Sequence, residues 1–330
     1  MYKGEQRFHF FLDQLQALLD KSFKQKNPAL WLYSNNARTP LFMLEALAKL
    51  YAELHNKKKF CKIKEHFKLL EDTLGAIDYY DAIAKSFIAK KTIPKDIITY
   101  LQAQTREKIQ SLNEQLTENK WLDKENNRIS RIKEKLAEAS WKNEEKEVKG
   151  IKDFYGESVY VITEFIQKKK YHYENMEADV HELRRKLRWL SIYPQALKGC
   201  IQLADNKKTV QHLKKYLTKE ITGSPFNKMP DAGDSQYFLL LSKNHFLALS
   251  WMIAELGNLK DSGLEIIALK EALQQTGGLT EEAAFKKAYQ LAGKNQQKLT
   301  ALLAKAESIT KTFIEEHNLE ELVVGTGKTK

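Results

Sequence analysis

The sequence predicts an all-α protein of about a dozen helices with no sheet. Apolar residues recur at helical spacing along nearly the whole chain, and the residues between them are mostly Lys, Glu, Gln and Ala, which favour helices. The 330-residue chain has only 14 glycines and 6 prolines, fewer than the many turns of an all-β protein require. No segment shows the apolar–polar alternation that is typical of a half-buried strand.

The predicted helices can be placed in order along the chain. The first three amphipathic stripes are Phe11, Leu15 and Leu18; Leu41, Leu44 and Leu47; and Phe67, Leu70 and Leu74. Pro28, Pro40 and Pro94 fall where helices would begin, because proline is tolerated in a first helical turn. Thr280 follows a Gly-Gly pair and precedes two glutamates, which is the pattern of a helix N-cap.

Residues 106–150 differ from the rest because they are dense in Lys, Glu and Asn and their apolar stripes are thin. We predict a charged helical hairpin there, inserted between helical halves at 1–105 and 151–320. The hairpin is interpreted as a solvated spacer or, alternatively, as a surface that contacts a protein partner. Residues 321–330 are predicted to form a flexible tail.

The charge balance favours polyanions as partners. Lys plus Arg number 54 and Asp plus Glu 43, a formal net charge of +11, which suits nucleic acid, polyphosphate or an acidic membrane surface. Cys61 and Cys200 are too few for a disulfide framework, and no Cys–His spacing resembles a zinc site, so neither metal nor cofactor is expected. Without an apolar leader or spanning segment, we expect a cytoplasmic protein with no membrane partner.

The most informative stretch is a basic helix around residue 181. His181, Arg184, Arg185 and Arg188 share one face at i, i+3, i+4 and i+7. The opposite face carries the apolar residues Val180, Leu183, Leu187 and Leu190. Three of the chain's eight arginines lie here, and guanidinium groups bind phosphate oxygens bidentately where lysine cannot. The alternative is a solvated basic face that pairs with nearby glutamates.

A second motif, Leu256-Gly-Asn-Leu-Lys-Asp261, follows the basic helix, and a weaker version of both motifs precedes it. Leu74-Gly75 leads to Asp81, while Asn35-Asn-Ala-Arg38 has Asn in place of His, and Phe42 stands where a second arginine is expected. In order and duplication these motifs resemble the CHAD domain (conserved histidine α-helical domain) family. Each Leu-Gly element also has a structural interpretation, because glycine lets helices approach closely or ends one.

The resemblance implies a duplicated unit, with two related antiparallel helical bundles and a basic groove between them that binds inorganic polyphosphate without catalysis. It also implies association with cytoplasmic polyphosphate granules. The residues that the resemblance and the neighbouring lysine runs place on phosphate are His181, Arg184, Arg185, Arg188, Arg38, Lys57, Lys58, Lys62, Lys214 and Lys215.

Other functions remain open at this point. Lysine runs and an aromatic residue such as Trp189 are compatible with sequence-nonspecific binding of nucleic acid, and a helical scaffold could have lost its polyanion site. Glu145-x-Glu147-x-Lys149 resembles the motif of triphosphate tunnel metalloenzymes, which works on a β-strand. Because this segment is predicted to be helical, we assign no catalytic residue and expect no enzyme.

Overall fold

The structure, a computed structural model, describes residues 1–123, 127–205, 211–293 and 296–329. It is 74% helical, which confirms the predicted predominance of helices. The α-helices are α1 (Lys3–Phe23), α2 (Pro28–Ser34), α3 (Arg38–Leu54), α4 (Lys57–Ile88), α5 (Lys95–Glu118), α6 (Asn127–Ala137), α7 (Glu144–Lys168), α8 (Glu182–Ala196), α9 (Lys219–Gly223), α10 (Lys243–Gly277), α11 (Glu281–Ala292) and α12 (Leu299–Glu315). A π-helical turn, Met176–His181, leads directly into α8.

Local sequence signals explain where several helices begin and end. Pro28 is the first residue of α2, and the side chain of Asn27 caps that helix by accepting from the Leu30 amide at 3.1 Å. The predicted cap at Thr280 is confirmed, since its side chain accepts from the amide of Ala283 at the start of α11. Gly278 ends α10 with φ +61°, a left-handed conformation that glycine adopts without a Cβ clash.

A three-stranded sheet is the main departure from the predicted all-α fold. Its strands are β1 (Ile201–Ala204), β2 (Tyr237–Ser242) and β3 (Val323–Lys328), in the order β1-β2-β3. β2 pairs in parallel with β1, Leu239 opposite Ile201, and antiparallel with β3. The prediction of no sheet is wrong because β2 is a continuous apolar run that leads straight into α10, and periodicity cannot separate such a run from a helix.

Residues 321–329 are also not the flexible tail predicted for 321–330, of which residue 330 lies outside the described residues. β3 forms the edge of the sheet, and the Thr329 amide donates to the carbonyl oxygen of Gln236 at 2.9 Å. Gly327 lies so close to Phe238 that a Cβ there would be 2.3 Å from the ring. The segment is therefore held by backbone pairing and by ring contact, neither of which its polar composition indicates.

The segment predicted as a charged insert at 106–150 belongs to the body of the protein. Its boundaries fall inside α5 and α7, and α5 packs along α4 while also contacting α2 and α10. The apolar residues of the segment that are 2% exposed or less are Leu112, Leu116, Trp121, Ile129, Ile132, Leu136 and Val148. The thin apolar stripes of the segment are therefore buried against neighbouring helices, as those of a solvated spacer would not be.

One hydrophobic core runs from α1 to the end of the chain and includes residues from both predicted halves. A second, smaller core joins the C-terminal parts of α4 and α10 to α5 and α11. A buried polar contact also links distant elements, because Arg7 of α1 donates to Glu147 of α7 at 2.7 Å and Tyr51 of α3 donates to the same carboxylate at 2.6 Å. The halves at 1–105 and 151–320 therefore share one interior.

Candidate functional site

The basic helix and the weaker, earlier copy of its motif at Arg38 lie where four helices come together. α3 packs against α8, and each packs on a long partner, α4 for α3 and α10 for α8. Basic residues at the start of α3 and along α8 therefore lie close together where these two helices meet, and we call the region between them the cleft. We call Arg38, Phe42, Arg184 and Arg188 the arginine cluster.

Arg184 extends from α8 across α10. Its Nε donates to the carbonyl oxygen of Ile253 at 3.2 Å, and Gly257 leaves room for the side chain, since a Cβ there would be 3.0 Å from Nε. Burial lowers the pKa of the guanidinium from its ordinary value, with the charge of Asp261 opposing that shift. Among the described residues, no carboxylate oxygen lies within 4.0 Å of the guanidinium.

Arg188 is the least compensated cation of the cluster. Its Cζ lies 4.4 Å from the centroid of the Phe42 ring, a cation–π contact, and within the described parts of the chain it has no carboxylate partner. Burial, followed by the charges of Arg184 and Arg38, lowers its pKa to about 10, while Glu71 opposes the shift. An anion in the cleft would therefore restore the balance of charge.

Arg38 approaches the same ring from α3. Its Cζ lies 5.0 Å from the centroid of Phe42, its Nε donates to Glu71 at 2.6 Å, and its Nη1 donates to Asp78 at 3.2 Å. The guanidinium lies against Gly75 of α4, where a Cβ would be 2.6 Å from Nη2. Arg38 on Gly75 thus repeats the placement of Arg184 on Gly257.

A second group of cations borders the cluster, and we call Lys49, Lys64 and Lys186 the lysine flank. Nζ of Lys49 lies 5.1 Å from the ring centroid of Trp189. Burial lowers the pKa of Lys49 to about 8; Glu45 opposes this shift, and Lys186, Lys64 and Arg185 add to it. Lys186 pairs with Glu182 at 3.2 Å, so the lysine flank adds positive charge that is compensated only in part.

Two buried carboxyl groups limit the positive charge of the cleft. Glu45 of α3 and Glu71 of α4 are each 6% exposed. Burial, then the charge of Glu71, raises the pKa of Glu45 to about 7, with Lys68 and Lys49 lowering it and Asp72 raising it. Glu45 thus changes its charge near neutral pH and interacts with Glu71, the partner of Arg38.

The remaining predicted residues of the basic helix have their own carboxylate partners. Nδ1 of His181 lies 2.7 Å from Glu177, and this contact lowers the pKa of the Glu177 carboxyl. Arg185 pairs with Glu182 at 2.6 Å and is more than half exposed. The predicted basic face therefore divides, with Arg184 and Arg188 in the cleft and His181 and Arg185 paired on the helix surface.

The lysines predicted at the site lie elsewhere. Lys57 and Lys58 occupy the first turn of α4, about 27 Å along the helix from Gly75 at 1.5 Å per residue. Lys57 pairs with Glu53 at 3.1 Å, and Lys62 is exposed about 20 Å along the helix from Gly75.

Lys214 and Lys215 lie on the 3₁₀ turn Gln211–Tyr216, and both are exposed. Lys215 pairs with Glu316 at the end of α12. None of the five predicted lysines therefore joins the arginine cluster.

Sequence reasoning missed the central role of Phe42, which was expected only as a departure from a basic pattern. Its position four residues after Arg38, on the same helical face, was the available signal. Lys49 of the lysine flank was also missed, because its proximity to Lys64 and Lys186 joins different helices and is not local.

The structure contains a serine–histidine–carboxylate row at the junction of β2 and α10. Oγ of Ser242 lies 2.7 Å from Nδ1 of His245, and Nε2 of His245 lies 3.2 Å from Glu321. In serine hydrolases the serine bonds to Nε2 and the carboxylate to Nδ1, so the order here is reversed. Ser242 and His245 are each 3% exposed, which leaves the serine oxygen inaccessible to a substrate.

Comparison of the chain with protein-family models, curated proteins and solved structures found no match. Within the described parts of the chain, no three His, Cys, Asp or Glu side chains are arranged to hold a metal ion. Among the same residues, no helix combines the length and apolar character needed to cross a membrane.

Proposed function

We propose that this protein binds a phosphate polyanion in the cleft of the arginine cluster. The observation that carries the proposal is the state of Arg188, a half-buried cation that contacts Phe42 but no carboxylate of the described residues. Keeping such a charge uncompensated is unfavourable, and neighbouring arginines increase the cost. A ligand that brings negative charge to Arg188 and Arg184 removes that penalty.

Phosphate suits this cleft better than carboxylate or halide. A guanidinium group presents planar N–H donors that bind two oxygens of one phosphate, and such charge-assisted bonds are the stronger ones in proteins. The cations of the arginine cluster and lysine flank also extend over several helical turns, which favours a ligand with several linked phosphates. A single phosphate would leave part of that charge without a partner.

We further propose that the helix pairs α3–α4 and α8–α10 are the two repeats of a CHAD-like unit. Support comes from their matched geometry, in which Arg38 lies on Gly75 and Arg184 lies on Gly257. Under this assignment the contact of α3 with α8 is the junction between the two repeats, and it supports a ligand position between them. On this assignment the ligand is inorganic polyphosphate, bound without catalysis, and the protein acts in the cytoplasm, where polyphosphate granules form.

The test is binding of long-chain polyphosphate by the wild type and by the double variant Arg184→Ala/Arg188→Ala. Loss of two charge-assisted contacts of about 1.5–3 kcal/mol each predicts at least a hundredfold weaker binding. Arg106→Ala/Arg131→Ala is the matched control, because it removes the same charge from two exposed arginines. Since polyanion binding depends on salt, all three proteins are compared at one physiological ionic strength.

Single-stranded RNA serves as the competitor. Polyphosphate binding that RNA fails to displace, and that only the cleft variant loses, supports the proposal. Displacement by RNA at equal phosphate concentration would favour the alternative of nucleic-acid binding. Absence of polyphosphate binding, or equal loss in both double variants, would contradict the proposal and leave the arginines with a structural role.

A further inference from the structure

A groove of about 380 Å³ lies beside the arginine cluster, between α1, α3 and the end of α8. Its lining combines the apolar side chains of Phe10, Met43 and Met229 with the polar side chains of Gln195 and Lys228. We call it the side groove. Its lining is largely apolar with a few polar groups, a combination that is typical of small-molecule sites.

The side groove adjoins the arginine cluster on two helices. On α3, Met43 of the groove directly follows Phe42 of the cluster. On α8, Gln195 lies two helical turns beyond Arg188, about 10 Å along the same face. One ligand can therefore contact the arginine cluster and the side groove together, with its anionic part at the arginines and an uncharged part in the groove.

The walls of the side groove are held by hydrogen bonds and close packing. Nε2 of Gln195 donates to the carbonyl oxygen of Lys228 at 2.9 Å, and this bond joins the loop that contains Lys228 and Met229 to α8. Gly199, with φ +86°, meets the same loop so closely that a Cβ would be 2.2 Å from the carbonyl oxygen of Asp231. The groove is thus formed before a ligand arrives, which lowers the entropic cost of binding.

The ring of Phe10 is an exposed part of the groove lining. Phe10 is 41% exposed, and Nζ of Lys198 lies 3.4 Å from its ring centroid. Lys198 has φ +45°, a left-handed conformation that is uncommon for a residue other than glycine. The segment after α8 therefore holds a cation against one face of a ring that is still partly exposed.

We infer that the side groove takes the base of a nucleoside polyphosphate whose phosphates lie on the arginine cluster. This inference rests on the proposed function, because it uses the same arginines for the phosphates. A nucleobase has a flat apolar face for Phe10 and the two methionines, and polar edges for the Gln195 amide oxygen, which the bond to Lys228 does not use. Inorganic polyphosphate would leave this apolar lining without a contact.

The experiment compares ATP with inorganic tripolyphosphate in metal-free buffer, since both carry three linked phosphates and only ATP has a base. We expect ATP to bind about tenfold more tightly, as stacking of one base on an aromatic side chain contributes on that order. Phe10→Ala should remove this advantage and leave tripolyphosphate binding unchanged. Phe23→Ala is the matched control, because it removes another exposed phenylalanine from the same helix.

Arg184→Ala/Arg188→Ala should weaken both ligands. Equal affinity for ATP and tripolyphosphate, or equal effects of Phe10→Ala and Phe23→Ala, would overturn the inference about the groove while leaving the proposed function intact. If ATP binding depends on Phe10 but not on the two arginines, the inference that the phosphates of ATP lie on the arginine cluster is wrong. If neither ligand binds the wild type, the inference and the proposed function both fail. Unchanged tripolyphosphate binding by Phe10→Ala also shows that this variant is folded.

Discussion

The guanidinium group of Arg184 lies directly on Gly257 of α10, with Nε 3.0 Å from the position that a Cβ would occupy. Arg38 lies on Gly75 of α4 in the same way. Both glycines are well inside their helices, where glycine is otherwise unfavourable by about 1 kcal/mol relative to alanine. The absence of a Cβ at each glycine therefore leaves room for an arginine side chain to cross the helix and reach the cleft.

Replacing Gly257 with alanine should weaken polyanion binding with little change in stability. The new methyl group forces Arg184 to move by a few tenths of an ångström, and we expect binding to fall by about threefold to tenfold, or ~1 kcal/mol. The gain in helix propensity, about 1 kcal/mol, offsets the crowding in the free energy of unfolding. Titration with polyphosphate and denaturant unfolding measure the two effects.

Gly156→Ala is the control for this substitution. Gly156 is an exposed glycine inside α7 with no atom within 4 Å of a new Cβ, so the change should add about 0.5–1 kcal/mol of stability and leave binding unaltered. If Gly257→Ala binds as tightly as Gly156→Ala, the path of Arg184 across α10 has no role in binding.

Binding should strengthen as the pH falls from about 9 to 6. Lys49, with its pKa lowered to about 8, gains a proton in this range, and Glu45, with its pKa raised to about 7, loses its negative charge. Lys68, Glu71 and Asp72 of α4 also act on Glu45. One unit charge near the cleft is expected to change affinity by about fivefold after solvent screening.

Glu45→Gln removes the proton uptake near pH 7 and should flatten the lower half of the profile. Polyphosphate affinity is measured from pH 6 to 9 at constant ionic strength for the wild type and this variant. Identical profiles would show that Glu45 does not act on the ligand.

The raised pKa of Glu45 also predicts that the stability of the fold changes with pH in the same direction as binding. Between the ordinary value of 4.5 and about 7, folded Glu45 binds a proton that the unfolded chain has released, so the free energy of unfolding falls as pH rises through this window.

The pair formed by Arg7 and Glu147 tests whether residues 106–150 are part of the fold. Glu147 is 1% exposed and Arg7 is 4% exposed, so removing the carboxylate leaves a buried guanidinium without its partner. Glu147→Ala should lower the free energy of unfolding by about 3–5 kcal/mol. Glu145→Ala, which removes an exposed carboxylate from the same helix, should change it by less than about 0.5 kcal/mol.

Denaturant unfolding of the two variants gives this comparison directly. Similar, small losses would return 106–150 to the predicted role of a separate insert. A large loss only for Glu147→Ala would mean that deleting the segment removes part of the core, so a deletion variant cannot report on a partner of this region.

Part of the candidate site could be predicted from local pattern. Arg184 and Arg188 are one turn apart, and helical spacing alone places them on a common face. The same pattern could not separate them from His181 and Arg185, because the partners Glu177 and Glu182 lie one turn away and compete for those cations. It also could not place Phe42 at Arg188, since that contact joins two helices far apart in the chain.

For the lysines, the prediction from sequence failed because residues that are close together in the chain lie far from the cleft. Lys57, Lys58 and Lys62 lie between Arg38 and Gly75 in the sequence. Because α4 is long, they are about 20 to 27 Å from Gly75 along the helix. Lys49 lacks a basic neighbour in sequence, but packing brings it to Lys186 of α8 and Lys64 of α4. Density of charge along a chain therefore did not indicate density of charge in the cleft.

The sequence by itself determined the helical character of this protein, several helix starts and the two arginines of the basic helix. These features depend on contacts within one or two turns, which residue types and spacing specify. Only the tertiary structure decided that Arg38 and Arg188 share Phe42, that 106–150 is buried, and that β3 pairs with β2. Such contacts join residues far apart in the chain, and their energies arise from burial and pairing that local periodicity does not contain.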